Sequence, residues 1–187
     1  IYKRKPSSIK HYYNNHTHVP IWVLIDYLTF GEVNSLFKCS NAKVQNKVAC
    51  SLSNFLKNNT EKEDSIIIKP ESIVLILENL AEIRNITAHN NVLLNHKGRH
   101  DLPYLKELHK QFGVKKTDNR QNVYQSLIFL QIFIGHNQYS ILNNKLKKRV
   151  DKLKKKIKQG YFEKVIDSLG FPEVWEKRSQ DKPPFSG

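Results

Sequence analysis

Between Glu71 and Asn95 the chain reads ESIVLILENLAEIRNITAHNNVLLN, and its apolar residues Ile73, Ile76, Leu77, Leu80 and Ile83 return at intervals of three and four. At 3.6 residues per turn this spacing lines one helix face against a core. Six polar groups, Arg84, Asn85, Thr87, His89, Asn90 and Asn91, then crowd the end of the pattern, where a purely structural helix finishes on glycine and a turn. Val123–Ile134 is apolar nearly all round, which predicts a helix at the centre of a bundle beside Glu71–His89.

The flanking pattern supplies the other elements. Pro20 suits the first turn of a helix that buries most of Trp22, Val23, Leu24, Ile25, Tyr27 and Leu28, with Gly31 punctuating it. Glu32–Cys39 and Asn41–Leu56 predict two further helices, the second capped by Ser40 or Asn41. Ser65–Lys69 is strand-like in composition, but Pro70 makes it a connector. Leu102–Phe112 is a short helix ended by Gly113, and Ile141–Lys158 carries Leu142, Leu146, Val150, Leu153 and Ile157 on one side. Tyr161–Leu169 closes the series before Gly170, with Phe171 and Trp175 folding back on the bundle. Ile1–Thr17 lacks periodicity, Asn58–Asp64 and His96–Asp101 are loops, and residues 179–187 form a flexible tail. The expected fold is an all-α bundle of about seven helices, one domain over residues 1–178.

Composition sharpens this picture. Lys and Arg number 31 against 17 acids, a formal net charge of +14, so the surface attracts polyanions, of which nucleic acid is the simplest. Nine basic residues and one acid lie between Lys145 and Lys158. Cys39 and Cys50 are the only cysteines and form no C-x-x-C pair, which points away from a disulfide framework and towards a reducing cytoplasm. The most apolar run, Leu127–Ile134, is far short of the roughly 20 residues that span a bilayer, so no membrane partner is expected.

The run Arg84-Asn85-Ile86-Thr87-Ala88-His89-Asn90 resembles the R-N-x-x-x-H signature of the HEPN superfamily of helical ribonucleases. Together with Pro20–Asp26, Leu28–Val33 and the final Leu169-Gly170-Phe171-Pro172-x-x-Trp175, it is similar to the bacterial abortive-infection (Abi) proteins of the AbiD/AbiF type. Asp26 stands where the family often carries Glu, and almost nothing precedes Trp22 where the family usually has a helical region. With no methionine in the chain, the sequence reads as the C-terminal part of a longer protein.

RNA carries its own nucleophile, the ribose 2′-hydroxyl, so cleavage needs proton transfer and stabilisation of phosphorane charge, with no obligatory metal. Histidine exchanges protons near neutral pH, and arginine presents a permanently charged fork of donors that matches phosphate oxygens. His89 is therefore the candidate general acid/base, Arg84 the phosphate clamp, and Asn85, four residues before His89 on the same face, a group to orient the imidazole or to bind phosphate. Five positions at 100° each separate Arg84 from His89 by about 140° around one helix, so a single straight helix does not aim both at one phosphate. Either the helix distorts near Thr87 or two copies share the work; the resemblance implies the second, since HEPN ribonucleases pair two motifs across a dimer interface, and a homodimer is expected here. The structural reading of the same residues is an Arg84 paired with Glu78 or Glu82 and a His89 that caps carbonyls.

RNA binding falls to Lys145, Lys147, Lys148, Arg149, Lys152, Lys154, Lys155, Lys156 and Lys158, extended by Lys97 and Arg99 just after the motif. Tyr104 and Tyr124 are available to stack unpaired bases. His109 and His136 are expected on helix surfaces or interfaces. His16, His18, His96, His100 and Asp101 lack a third ligand at recognisable spacing, and no Gly-rich phosphate loop, G-x-S-x-G or dinucleotide fingerprint is present. No metal or cofactor is expected. The leading reading is a metal-independent endoribonuclease toxin in anti-phage abortive infection that cuts single-stranded RNA to a 2′,3′-cyclic phosphate. The alternative is a non-catalytic RNA-binding or RNA-regulated defence protein.

Overall fold

Proline, asparagine and threonine set the helix ends from which the architecture follows. A computed structural model describes residues 7–60 and 66–172. Among these the secondary structure is helical throughout: α1 (Ser7–Asn15), α2 (Ile21–Leu24), α3 (Phe30–Cys39), α4 (Ala42–Thr60), α5 (Pro70–Ala88), α6 (Lys106–Lys110), α7 (Val123–Phe129), α8 (His136–Lys154) and α9 (Gln159–Ser168), with 3-10 turns at Ile25–Tyr27 and Leu130–Ile132. The all-α expectation holds. Trp175 and the expected tail at 179–187 lie outside the described residues.

Contacts group the chain into two compact units, Ile1–Ser40 and Asn41–Gly187. In the smaller unit, α1 packs on α2. The stretch Ser7–Asn15 is helical although its sequence lacks periodicity. A reciprocal cap starts α3: the Thr29 hydroxyl accepts from the Glu32 amide at 3.3 Å, and the Glu32 carboxylate accepts from the Thr29 amide at 2.7 Å. Gly31 therefore lies inside the first turn of α3 and does not end α2. Burial of the Trp22 segment does not hold. Trp22 is 69% exposed, and Ile21, Ile25 and Tyr27 are also open. A single α-turn that runs into a 3-10 turn spreads its nearly consecutive apolar residues around the axis, so no one face gathers them.

The larger unit holds the main core. Asn41 caps α4 by accepting from the Val44 amide at 2.9 Å, and Pro70 opens α5 at a position that lacks an intrahelical partner anyway. Residues 66–69 are an extended connector, with Ile66 and Ile68 buried and Ile67 outward. α5 packs on α4 and α7, the 3-10 turn after α7 packs on α4 and α8, and α8 packs on α9. Ile73 and Ile76 of α5 meet a centre that contains Ile128, Phe129 and Ile132, all essentially inaccessible, so the central placement of both helices holds. The helix expected over Leu102–Phe112 shrinks to Lys106–Lys110. Leu102 is buried in a loop that Arg120 grips: its Nε donates to the Leu102 carbonyl at 2.6 Å and its Nη2 pairs with Asp101 at 2.8 Å. α8 spans His136–Lys154, earlier at both ends than the pattern suggests.

Two glycines close elements where φ is positive. Gly113 (φ +72°) follows α6, and Gly170 (φ +81°) follows α9. Gly170 also lies so close to Asn122 that a Cβ there would sit 2.0 Å from the amide carbon. Beyond it Phe171 folds back as expected, its ring 4.7 Å from Tyr124.

Candidate active site

α5 delivers Arg84 and Asn85 in its last turn and hands the chain to His89 as C-cap. Asn90 then takes the left-handed conformation, φ +54°. Its amide donates to the Thr87 carbonyl at 3.1 Å and the Asn91 amide to the Ile86 carbonyl at 2.9 Å, the two bonds of a Schellman ending. Asparagine thus replaces the usual glycine, because its short polar side chain tolerates that backbone region better than any other non-glycine residue. The polar cluster read as functional therefore includes one residue, Asn90, with a backbone task.

Arg84, Asn85 and His89 are all exposed. Arg84 Nη1 donates to Asn85 Oδ1 at 3.0 Å, so the two form a joint polar surface. The two glutamates expected to hold Arg84 in the structural reading are engaged elsewhere. Glu78 Oε2 meets His100 Nε2 at 2.5 Å, and Glu82 Oε2 accepts from the Arg99 amide at 3.2 Å. Among the described residues no hydrogen bond joins the His89 imidazole to Arg84 or Asn85. The Thr87 hydroxyl is turned inward along the helix, donating to the Ile83 and Arg84 carbonyls at 2.9 Å each.

The loop after the motif runs back beside α5, and Asn79 holds it there. This side chain is 1% exposed; its Nδ2 donates to the His100 carbonyl at 2.8 Å and its Oδ1 accepts from the His100 amide at 3.1 Å. Gly98 presses so close that a Cβ would lie 2.7 Å from Asn79 Nδ2, and its own amide donates to the Gln121 carbonyl at 2.6 Å. Lys97 and Arg99 flank this contact and are exposed. Their backbone is fixed beside Asn79 and Glu82, within one to two turns of Arg84.

The basic stretch divides. Lys145, Lys148, Arg149, Lys152 and Lys154 are exposed on α8 with Lys147 half-buried, whereas Lys155, Lys156 and Lys158 occupy the connection to α9. Lys154 Nζ stands 5.5 Å from the centre of the Phe162 ring. The nine cations thus bend around the end of α8 instead of forming one straight helical face.

Of the two places expected for His109, a helix surface or an interface, the interface holds: it is fully buried, its Nδ1 contacts the Leu105 carbonyl at 2.8 Å and its Nε2 contacts Gln125 Oε1 of α7 at 3.1 Å. Burial pushes this imidazole below its ordinary value, ahead of the opposing hydrogen bonds to Leu105 and Gln125. Tyr124 is also buried, and Tyr104 lies against the His109 ring at 5.0 Å, so neither is an open stacking platform. Among the described residues no three His, Cys, Asp or Glu side chains converge as a metal site. The sequence reading missed Asn79 and Gly98; the signal was a lone asparagine on the Ile73–Ile76 stripe of α5.

An all-helical protein with an exposed arginine-asparagine pair and histidine at one helix end is the class this geometry defines. The model of the family described as Abi-like protein matches residues 1–95, which include the whole motif, and the chain belongs to that family. Membership supports a role in abortive-infection defence. Neither the curated proteins nor the solved structures yield a match. Among the described residues no helix is long and apolar enough to cross a membrane.

Proposed function

We propose that this Abi-like protein is a HEPN-type, metal-independent endoribonuclease of the AbiD/AbiF kind, acting as a toxin on single-stranded RNA during phage infection. The observation that carries the reading is the freedom of the motif: Arg84 and His89 face solvent while Glu78 and Glu82 are occupied by His100 and Arg99. In the reaction an imidazole takes the proton from the ribose 2′-hydroxyl, and the 2′-oxygen bonds to phosphorus. The bond from phosphorus to the 5′-oxygen then breaks, and that oxygen receives a proton from a second acid. The products are a 2′,3′-cyclic phosphate and a 5′-hydroxyl. Arg84 neutralises the charge that builds on the equatorial oxygens, and Asn85 keeps the guanidinium in place.

Two imidazoles serve this cycle best, one as base and one as acid, which is the case for a homodimer with the motif near its two-fold axis. Support comes from Val92, 72% exposed, an apolar side chain three residues after His89 that a second copy would cover. Cleavage that persists in EDTA and falls at least 100-fold in Arg84→Ala and in His89→Ala is the expected result. Strict magnesium dependence, or full activity in a strict monomer, overturns it. The second reading, a non-catalytic RNA-binding or RNA-regulated protein, draws on the cations of Lys145–Lys158, and intact RNA copurifying with an inert motif selects it.

A further inference from the structure

A shallow groove of about 590 Å³ separates the loop after the motif from α9. One wall is a single helical face, Tyr161, Lys164, Val165 and Ser168, at spacings of three and four, opposite the Phe162 and Ile166 face that enters the core. The other wall is Leu94 and Asn95, five and six residues after His89. Tyr161 is 65% exposed. Its amide donates to the carbonyl of Lys158, the last residue of the basic connection and the N-cap of α9, at 3.0 Å. The groove therefore starts where the cations of Lys155, Lys156 and Lys158 end and finishes beside the chain that leaves the motif.

We propose that this groove is a nucleotide subsite that holds an unpaired base of single-stranded RNA next to the scissile position. The inference rests on the RNA reading above and adds the place where the strand is gripped. The Tyr161 ring supplies the open aromatic face that stacking requires, a role that the buried Tyr124 and the covered Tyr104 do not fill. Leu94 and Val165 supply hydrocarbon against which a base is desolvated, and Lys164 supplies the phosphate contact. The exposed Asn95 backbone is left-handed, φ +59°, so the loop turns sharply at the groove and offers an amide that donates to and accepts from a base edge. Asp167, at the rim, repels phosphate and so sets the orientation: backbone towards Lys164 and the basic connection, base edge towards Asp167. A duplex, whose bases are stacked and paired, does not enter.

The test measures the affinity of the full chain for a single-stranded oligoribonucleotide and for the duplex of the same sequence, across a salt series. Tyr161→Ala is expected to weaken single-strand binding roughly 10-fold with little change for duplex, and Tyr161→Phe to retain it. Lys164→Ala is expected to reduce the salt dependence by the share of about one phosphate. Tyr161→Trp adds a direct readout, quenching of the introduced indole on RNA addition beyond that of the unaltered protein. If the unaltered chain binds no RNA, the RNA reading itself fails. If it binds single strands but Tyr161→Ala binds equally well and Tyr161→Trp is not quenched, the subsite alone is overturned. If Tyr161→Ala instead lowers the oligomeric mass, the groove is a contact between copies and the subsite is likewise overturned.

Discussion

Asn79 stands on the same stripe of α5 as Ile73 and Ile76, yet its amide is spent entirely on the backbone of His100. Asn79→Ala leaves a buried donor and acceptor unpaired and frees the loop that carries Lys97 and Arg99. The expected loss is about 2–4 kcal/mol, seen as a fall in Tm on the order of 5–10 °C. Arg84→Ala and His89→Ala are the contrast: both side chains are exposed, so activity should vanish while Tm moves by less than about 2 °C. His109 gives a pH signature. Its folded pKa is depressed by burial, so below the ordinary value of 6.5 the unfolded chain binds a proton that the fold resists. The stabilisation is complete above pH 6.5 and is lost as pH falls from there towards the depressed value. Urea midpoints measured from pH 7.5 to pH 5 should therefore fall, and His109→Gln should flatten that decline. At this scale the sequence displayed Arg84, Asn85 and His89 as an unusual cluster. The burial of His109 and the grip of Asn79 depend on partners 16 and 21 residues away, which local spacing does not encode.

Helix ends carried the clearest signals at the level of elements. Asn41 as a cap, and Gly113 and Gly170 as stops stand where the pattern put them, and Pro70, which marked the connector, opens α5, because each residue type satisfies a specific backbone need at a terminus. The failures have two causes. Leu102–Phe112 looks helical by periodicity, but Arg120 holds Leu102 by its carbonyl, and that long-range bond competes with the local pattern. The Trp22 segment fails for a local reason, since an apolar run specifies burial only when its turns are regular enough to present one face. Gly170 joins α9 to α7, where Asn122 accepts from the Gln125 amide at 3.0 Å as N-cap. Gly170→Ala must adopt φ near +81° and drive its methyl into Asn122, disturbing both helix ends. A loss on the order of 2–3 kcal/mol in a urea titration is expected, well above the roughly 1 kcal/mol of Asn122→Ala alone.

For the whole molecule, the net charge of +14 and its concentration near the end of α8 govern behaviour. Replacing Lys152, Lys155, Lys156 and Lys158 with alanine should lower the slope of log affinity against log salt for single-stranded RNA by roughly 3, with helical content unchanged. Sedimentation should report twice the 21.9 kDa chain mass, and Val92→Asp should halve it and abolish cleavage. The helical class and the family were legible from motifs and periodicity. The separation between Ser40 and Asn41 was not, because it falls at a helix cap without the proline-rich or glycine-rich linker that marks such places.

Between the left-handed turn at Asn90 and the bracket that Asn79 places on Gly98 and His100, residues 91–97 cross from one fixed anchorage to another. A span tied at both feet has a set length. An extra residue has nowhere to go but outward over Tyr161, and a missing one must pull either anchorage loose. This short bridge is thus open to exchange of side chains and closed to insertion or deletion, and the cleft it borders keeps its width while its lining is free to vary.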